Sequence, residues 1–170
     1  PSQWVYLRGG ADVNDIWFVS ERPSLHHSPA INIAWNAVST HTGISLDEVA
    51  RFDIYSCFPS AVQVACNEIG LSPLDPRGVT STGGLPCFGG PGNNYTLHGI
   101  AAMAETLRAK PGASGLVTGN GWYLTKHSAG VYSSAPPERA PRPEPDPASA
   151  RHPQGAVKVT QTPEGAAVVE

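Results

Sequence analysis

Gly83-Gly84-Leu85-Pro86-Cys87-Phe88-Gly89-Gly90-Pro91-Gly92-Asn93-Asn94 runs directly into an apolar-periodic segment, and its reading decides the rest of the chain. Glycines permit positive φ and close backbone approach, and the free amides of a helix start attract an anion or a polarised carbonyl oxygen. No GKS or GKT follows, and the helix does not come off the first strand. The run is therefore neither a P-loop nor a dinucleotide fingerprint. Taken alone, the same residues also fit a plain surface loop.

Downstream, the spacing predicts a helix from about Asn94 to Lys110, with Leu97, Ile100, Ala101, Ala104 and Leu107 as its buried stripe and Pro111-Gly112 as its stop. Gly115-Leu116-Val117-Thr118 and Ala129-Gly130-Val131-Tyr132 read as strands, with Gly119 to Lys126 as the connection. Upstream, Phe58-Pro59 opens a helix whose apolar face is Val62, Ala65, Cys66 and Ile69, ending at Gly70. Before it stand a β-leaning run, Arg51 to Tyr55, and a capping box at Ser45 and Glu48 that starts a short helix. Earlier still, Ser28-Pro29 starts a helix with Ile31, Ala34, Trp35 and Val38 inward as far as Gly43. Trp4-Val5-Tyr6-Leu7 reads as a strand, Gly9-Gly10-Ala11-Asp12 as a loop, and Trp17-Phe18-Val19 as a short apolar segment. This alternation implies an α/β architecture with helices packed on a mixed sheet.

From Ala135 to Pro153 the apolar pattern stops and prolines alternate with charged and small residues, as in a solvated linker. Val157-Lys158-Val159-Thr160-Gln161-Thr162 then alternates as a strand does, and Pro163-Glu164-Gly165 reads as a turn. The expected division is 1–134, one α/β unit; 135–153, linker; 154–170, the start of a small β domain without fixed packing on the rest. The chain starts at Pro1, directly before a strand, and stops after Ala166-Ala167-Val168-Val169, which leads us to expect further sequence on both sides.

The net charge is −3 and the 11 basic residues are scattered, so nucleic acid is not an expected partner. No run of about 18 apolar residues is present to span a bilayer, and the amino end lacks the blocks of a signal peptide. A cytoplasmic protein is the expectation. The 3 cysteines, Cys57, Cys66 and Cys87, suit neither a disulfide framework nor a CxxC metal site. Cys57 and Cys66 read as core. Cys87 reads as a small buried residue, although a helix start there would favour a thiolate. His26-His27 reads as an exposed helix approach, and no metal site is expected.

Three stretches together resemble the second half of a thiolase domain. Asp53-Ile54-Tyr55-Ser56-Cys57-Phe58 is similar to the family's N-E-A-F motif, or H-D-C-F in the sterol-carrier-linked subfamily. Gly83 to Gly92 resembles G-G-x-x-x-G-H-P-x-G, and Gly115-Leu116-Val117-Thr118-Gly119-Asn120-Gly121 resembles the strand that ends in C-x-G. With the proline linker and the β segment, the pattern looks closest to thiolase-like proteins of type 1, which carry an additional carboxyl-terminal β-barrel domain. That further match rests on Tyr55 to Val62, Phe88 to Tyr95, and Gly121-Trp122-Tyr123-Leu124-Thr125-Lys126-His127.

The resemblance implies a carboxyl-terminal thiolase half, an acyl-coenzyme A thioester as ligand, no covalently bound cofactor, and a missing amino-terminal half that holds the nucleophilic cysteine. It also implies losses: the family's histidine position is Gly90, its acid/base cysteine position is Asn120, and an asparagine of the thioester-oxygen site falls at Tyr55. Glycine moves no proton and asparagine does not titrate near neutrality. The expected ligand contacts are Phe58, Gly83, Gly84, Gly89, Gly90, Pro91, Gly92, Asn120 and Gly121. His98 and His127 are the candidate substitute bases, each also explicable as a packed or solvent-facing residue. The leading expectation is an acetyl-coenzyme A acetyltransferase-like protein of lipid or fatty-acid metabolism that binds acyl-coenzyme A without ordinary thiolysis. Two rivals stand beside it: an acyltransferase using a substitute histidine with a cysteine of the missing half, and a non-catalytic scaffold or partner module.

Overall fold

The computed structural model describes residues 3–137, 157–166 and 168. Four strands form one mixed sheet: β1 (Tyr6–Asn14), β2 (Val49–Asp53), β3 (Ser114–Gly121) and β4 (Lys126–Ser133). Their spatial order is β1-β4-β3-β2, with β2 parallel to β3 and the other two pairings antiparallel. Helices α1 (Pro29–Thr42) and α2 (Pro59–Ile69) cover one face. Helix α4 (Tyr95–Arg108) covers the other, and a single turn, α3 (Leu85–Phe88), lies in the glycine-rich loop. This is the α/β layering that the alternation predicts.

Local signals account for the helix ends. Ser28-Pro29 and Phe58-Pro59 place proline at the first helical position, where its missing N–H costs no bond. Gly43 and Gly70 close the two helices in the left-handed conformation, at φ of 72° and 76°. Val38, Val49, Phe52, Leu116 and Val131 are completely buried between the sheet and the α1–α2 layer. Val117 is grouped with Met103 and Leu107 beneath α4, the face opposite that of its strand neighbour Leu116, as the period of two requires.

Several expectations need correction. Gly9-Gly10-Ala11-Asp12 is strand, not loop: a Cβ on Gly9 would lie 2.8 Å from both His41 and Thr42 of α1, so glycine there admits the helix against the sheet. The strand expected over Arg51–Tyr55 is Val49–Asp53, and the short helix at Ser45 is a single 3-10 turn, Leu46–Glu48. The connection between β3 and β4 is confined to residues 122–125, because both strands run further than their apolar runs indicate. The stripe of α4 is rotated: Tyr95, Gly99, Met103 and Leu107 face inward, while Leu97 and Ala101 are exposed. Gly99 explains the rotation, since its absent Cβ would fall 2.4 Å from Asp53 Oδ2. Only a glycine lets that side of the helix approach the strand.

Of the linker expected over 135–153, residues 138–153 lie outside the described residues. Val157–Thr160 carries no sheet pairing, so the strand expected over Val157–Thr162 is absent among the described residues. A strand needs a ladder of N–H and C=O bonds to a neighbour, whereas here the described residues show a single one, from Val157 N–H to Glu21 O at 2.6 Å.

Candidate functional site

β2 and β3 run parallel and end at the same edge of the sheet, but β3 reaches further: Asp53 pairs with Val117, and Thr118 to Gly121 continue beyond. The chain leaving β2 follows that overhang. Tyr55 N–H donates to Thr118 Oγ1 at 2.9 Å, and Asn120 Nδ2 donates to Cys57 Sγ at 3.3 Å. Two of the three motif stretches are thus joined at the carboxyl ends of parallel strands, where open α/β sheets form their ligand crevices.

The third stretch is bound to the same turn. Leu85 N–H donates to Ser56 Oγ at 3.1 Å, and Gly84 is buried against that hydroxyl, leaving 2.8 Å where a Cβ would be. Gly83 and Gly84 sit at φ of 88° and 85°, the left-handed region that glycine occupies without strain. Gly89, Gly90, Pro91 and Gly92 form the exposed rim beyond α3. Gly90 itself has an ordinary φ, with Leu85 Cδ2 at 3.4 Å as its nearest neighbour.

Asp53 anchors the loop from below, a role the sequence did not disclose. Its side chain is fully buried. Oδ1 accepts from Thr80 Oγ1 at 3.0 Å and from Ser81 N–H at 2.9 Å, and Tyr95 O–H donates to Oδ2 at 3.4 Å. Tyr95, which opens α4, also shares a 2.6 Å hydrogen bond with Thr82. One carboxylate therefore fixes the loop start and the helix start together. Burial pushes the hydroxyls of Tyr55 and Tyr95 above the ordinary phenol value, so both remain protonated donors at neutral pH.

Cys57 and Cys87 are exposed, which corrects their reading as core or buried residues. Cys57 stands on the turn ahead of α2 rather than inside the helix, and Cys87 lies on the outer side of α3. Cys66 is buried as expected, its thiol pushed up to about 11 by burial, with Asp75 adding to the effect.

The two candidate histidines lie apart. His98, on α4, packs edge-on against Phe88 of the loop at 5.4 Å between ring centres, and its Nδ1 is buried without a protein partner. His127 stands directly opposite Asn120, on β4, only 6% exposed and turned toward α1. Its Nε2 lies 3.0 Å from Ser28 Oγ, which donates to Asp15 Oδ2 at 2.6 Å. Because the single hydroxyl proton goes to the carboxylate, Nε2–H of His127 faces Ser28 as a donor. The serine therefore sits between acid and imidazole, an order that leaves it unactivated, unlike a nucleophile–base–acid triad. Burial lowers the His127 pKa, so its ring is held neutral.

Arg22 completes this buried cluster, donating to Ile16 O, Tyr123 O and Thr125 Oγ1. Tyr55, Asn120 and His127 line one small cavity of about 20 Å³, walled by Ile31, Trp35 and Leu116. No residue of Gly83–Gly92 lines it, so the loop and this cavity are separate among the described residues. Phe58 borders a second, larger groove with Tyr123 and Gln63, and Gly121 packs toward Lys126. His26 and His27 bond Ser24 and Glu68, and among the described residues no cluster of His, Cys, Asp or Glu assembles a metal site. No helix of the described residues is long and apolar enough to cross a membrane.

No protein-family model and no curated protein matches the chain. Among solved structures it is similar to a monomeric SCP2-thiolase-like protein type 1 from Mycobacterium smegmatis, at 50% identity over 80% of this chain, with a TM-score of 0.75. It is also similar to the peroxisomal 3-ketoacyl-CoA thiolase of Saccharomyces cerevisiae, at 18% identity over 75% of this chain, with a TM-score of 0.52. The chain spans 30% of the length of the first and 34% of the second. The second is a five-layered α-β-α-β-α structure made of two core domains of identical topology. With helices on both faces of a mixed four-stranded sheet and these two structural matches, the chain has a thiolase-like fold.

Proposed function

We propose that this chain binds an acyl-coenzyme A thioester at the carboxyl ends of β2 and β3 and does not carry out ordinary thiolysis. The observation that supports this best is the joining of Cys57 to Asn120, beside a glycine loop that is itself bonded to Ser56. The Gly90 N–H of the rim and the carboxamide of Asn120 offer donors to a thioester oxygen. Gly90 and Asn120, matched to the family's histidine and second cysteine, supply no group that transfers a proton near neutrality. Residues 1–134 act in this reading as one thiolase-like half, and a second half supplies further ligand contacts.

One observation favours the rival in which acyl transfer does occur. His98 keeps a free ring nitrogen and touches the loop through Phe88, whereas His127 is committed to Ser28 and held neutral by burial. In that case His98 is the base and His127 a structural residue. Calorimetric titration of the full-length protein with an acyl-coenzyme A, run beside an assay of its 3-ketoacyl thioester cleavage by coenzyme A, separates the two readings. Binding without cleavage is the expected result. Cleavage that is lost in His98→Asn moves the assignment to the rival, and absence of binding removes both.

A further inference from the structure

Helix α4 is apolar on more than the side it buries. Tyr95, Gly99, Met103 and Leu107 face the sheet, yet the stripe that the spacing predicts, Leu97, Ile100, Ala101 and Ala104, runs along the flank and the outside, with Leu97 61% exposed. A helix that is apolar all round belongs in an interior. Phe88, packed on His98, and Trp4, beside Arg108 near the helix end, extend the stripe at 48% and 62% exposure. The outward residues of the opposite layer are of another kind: Asn36 and Thr40 on α1 and Gln63 and Asn67 on α2 are exposed and polar.

The two faces of the sheet are also unequally covered. On one, α1 lies along β1 and β4 and α2 packs beside it; on the other, α4 lies chiefly along β3 and β2. Alternation along β4 turns Ala129 and Val131 to the α1 side and leaves Ser128, Gly130 and Tyr132 on the α4 side, where Ser128 is exposed. Between α4 and the segment ahead of β1 the uncovered part forms a trough of about 360 Å³, lined by Trp4, Val5, Tyr6, Ile100, Ala104 and Tyr132.

The layering of the fold indicates what fills such a face. The yeast thiolase has five layers made from two core domains of identical topology, one fewer than two separate α-β-α stacks would give. One helical layer there serves both sheets, so each domain by itself covers only part of its own sheet on that side. In this chain the α4 face answers to that description, with a single helix that is apolar inside and out, and the α1–α2 face does not. The chain spans 30% of the length of the Mycobacterium smegmatis protein, a length that leaves room for a second domain.

We propose that α4 is a shared helix: its outer stripe, Leu97 and Ala101, packs beneath a second sheet supplied by the rest of the polypeptide, and a helix of that second domain lies in the trough on Ile100, Ala104 and Tyr132. The stripe read from the sequence is then a true interface, the second one of the same helix. This packing rests on the second half named in the proposed function and not on acyl-coenzyme A, so it can fail while ligand binding holds.

Thiol labelling of the full-length protein, with no ligand present, tests it. Ala101→Cys places a thiol on the outer side of α4 and Thr40→Cys one on the outer side of α1, both at positions exposed in this chain. Maleimide modification is followed peptide by peptide, which scores Cys57, Cys66 and Cys87 separately. Position 101 is expected to react at least about tenfold slower than in the unfolded protein, while position 40 stays reactive. Hydroxyl-radical footprinting of the unaltered protein gives a second reading that no substitution can disturb, and Leu97 is expected to show the same protection. Labelling at 101 or oxidation at Leu97 at a rate close to that of the unfolded protein overturns the proposal, as does protection at position 40 in place of 101. Protection at 101 that disappears on dilution overturns it too, because a second copy would then cover the stripe.

Discussion

Asn120 Nδ2 donates to Cys57 Sγ across 3.3 Å, and through that contact the part of β3 beyond its pairing with β2 is held against the turn that precedes α2. The other polar atom of the same carboxamide, Oδ1, is buried with no protein partner. A double-mutant cycle with Asn120→Ala and Cys57→Ala is expected to return a coupling of about 0.5–1 kcal/mol, in the range of a net hydrogen bond. Strict additivity in denaturant unfolding would mean that the two stretches are not joined.

Gly84 and Gly90 are neighbours in one loop with opposite tolerance. Gly84 sits at φ 85° with Ser56 Oγ 2.8 Å from its missing Cβ, so Gly84→Ala is expected to cost about 1–3 kcal/mol through strain and overpacking. Gly90 has an ordinary φ and an exposed rim position, so Gly90→His is expected to cost less than about 1 kcal/mol. Urea midpoints of the two variants give the comparison. Equal losses would contradict the account of the loop.

The helices were legible because their punctuation is local: Ser28-Pro29 and Gly43, Phe58-Pro59 and Gly70, and Pro111 after α4. What escaped depends on residues far apart in the chain. Gly9-Gly10 reads as a loop until His41 and Thr42 of α1 are known to press on it, and Gly99 reads as neutral until Asp53 is known to lie beneath it. Likewise, no spacing rule announces that Asp15, Ser28 and His127 meet, or that Cys57 emerges at the surface. One signal was available: Asp53 is a carboxylate at the end of an apolar strand, and a buried carboxylate needs several donors around it.

Gly99→Ala separates helix propensity from packing. Alanine favours a helix over glycine by about 1 kcal/mol. Its Cβ would stand 2.4 Å from Asp53 Oδ2 and 3.4 Å from Val117, so the carboxylate that holds Thr80 and Ser81 must move. Net destabilisation of about 1–3 kcal/mol is expected, with lost amide protection in residues 80–84. A more stable Gly99→Ala variant would show that α4 is not pressed on β2.

His127 makes stability depend on acidity. Burial holds its pKa below the ordinary 6.5, so as pH falls the unfolded chain takes up this proton before the folded one does. Stability should therefore be complete above about pH 6.5 and fall as the pH drops toward the lowered folded value. His127→Gln, which keeps a donor for Ser28 but cannot titrate, is expected to flatten melting temperature against pH between 7 and 5. Superimposable profiles for the two proteins would place the acid sensitivity elsewhere.

Resonance mapping of the 15N-labelled chain during titration with acetyl-coenzyme A tests directly the proposed acyl-coenzyme A ligand at the shared edge of β2 and β3. Saturable shifts are predicted at Cys57, at Gly89, Gly90 and Gly92, and at the side-chain amide of Asn120, with the amides of α1 unchanged. Shifts confined to other surfaces, or none at millimolar ligand, would contradict it.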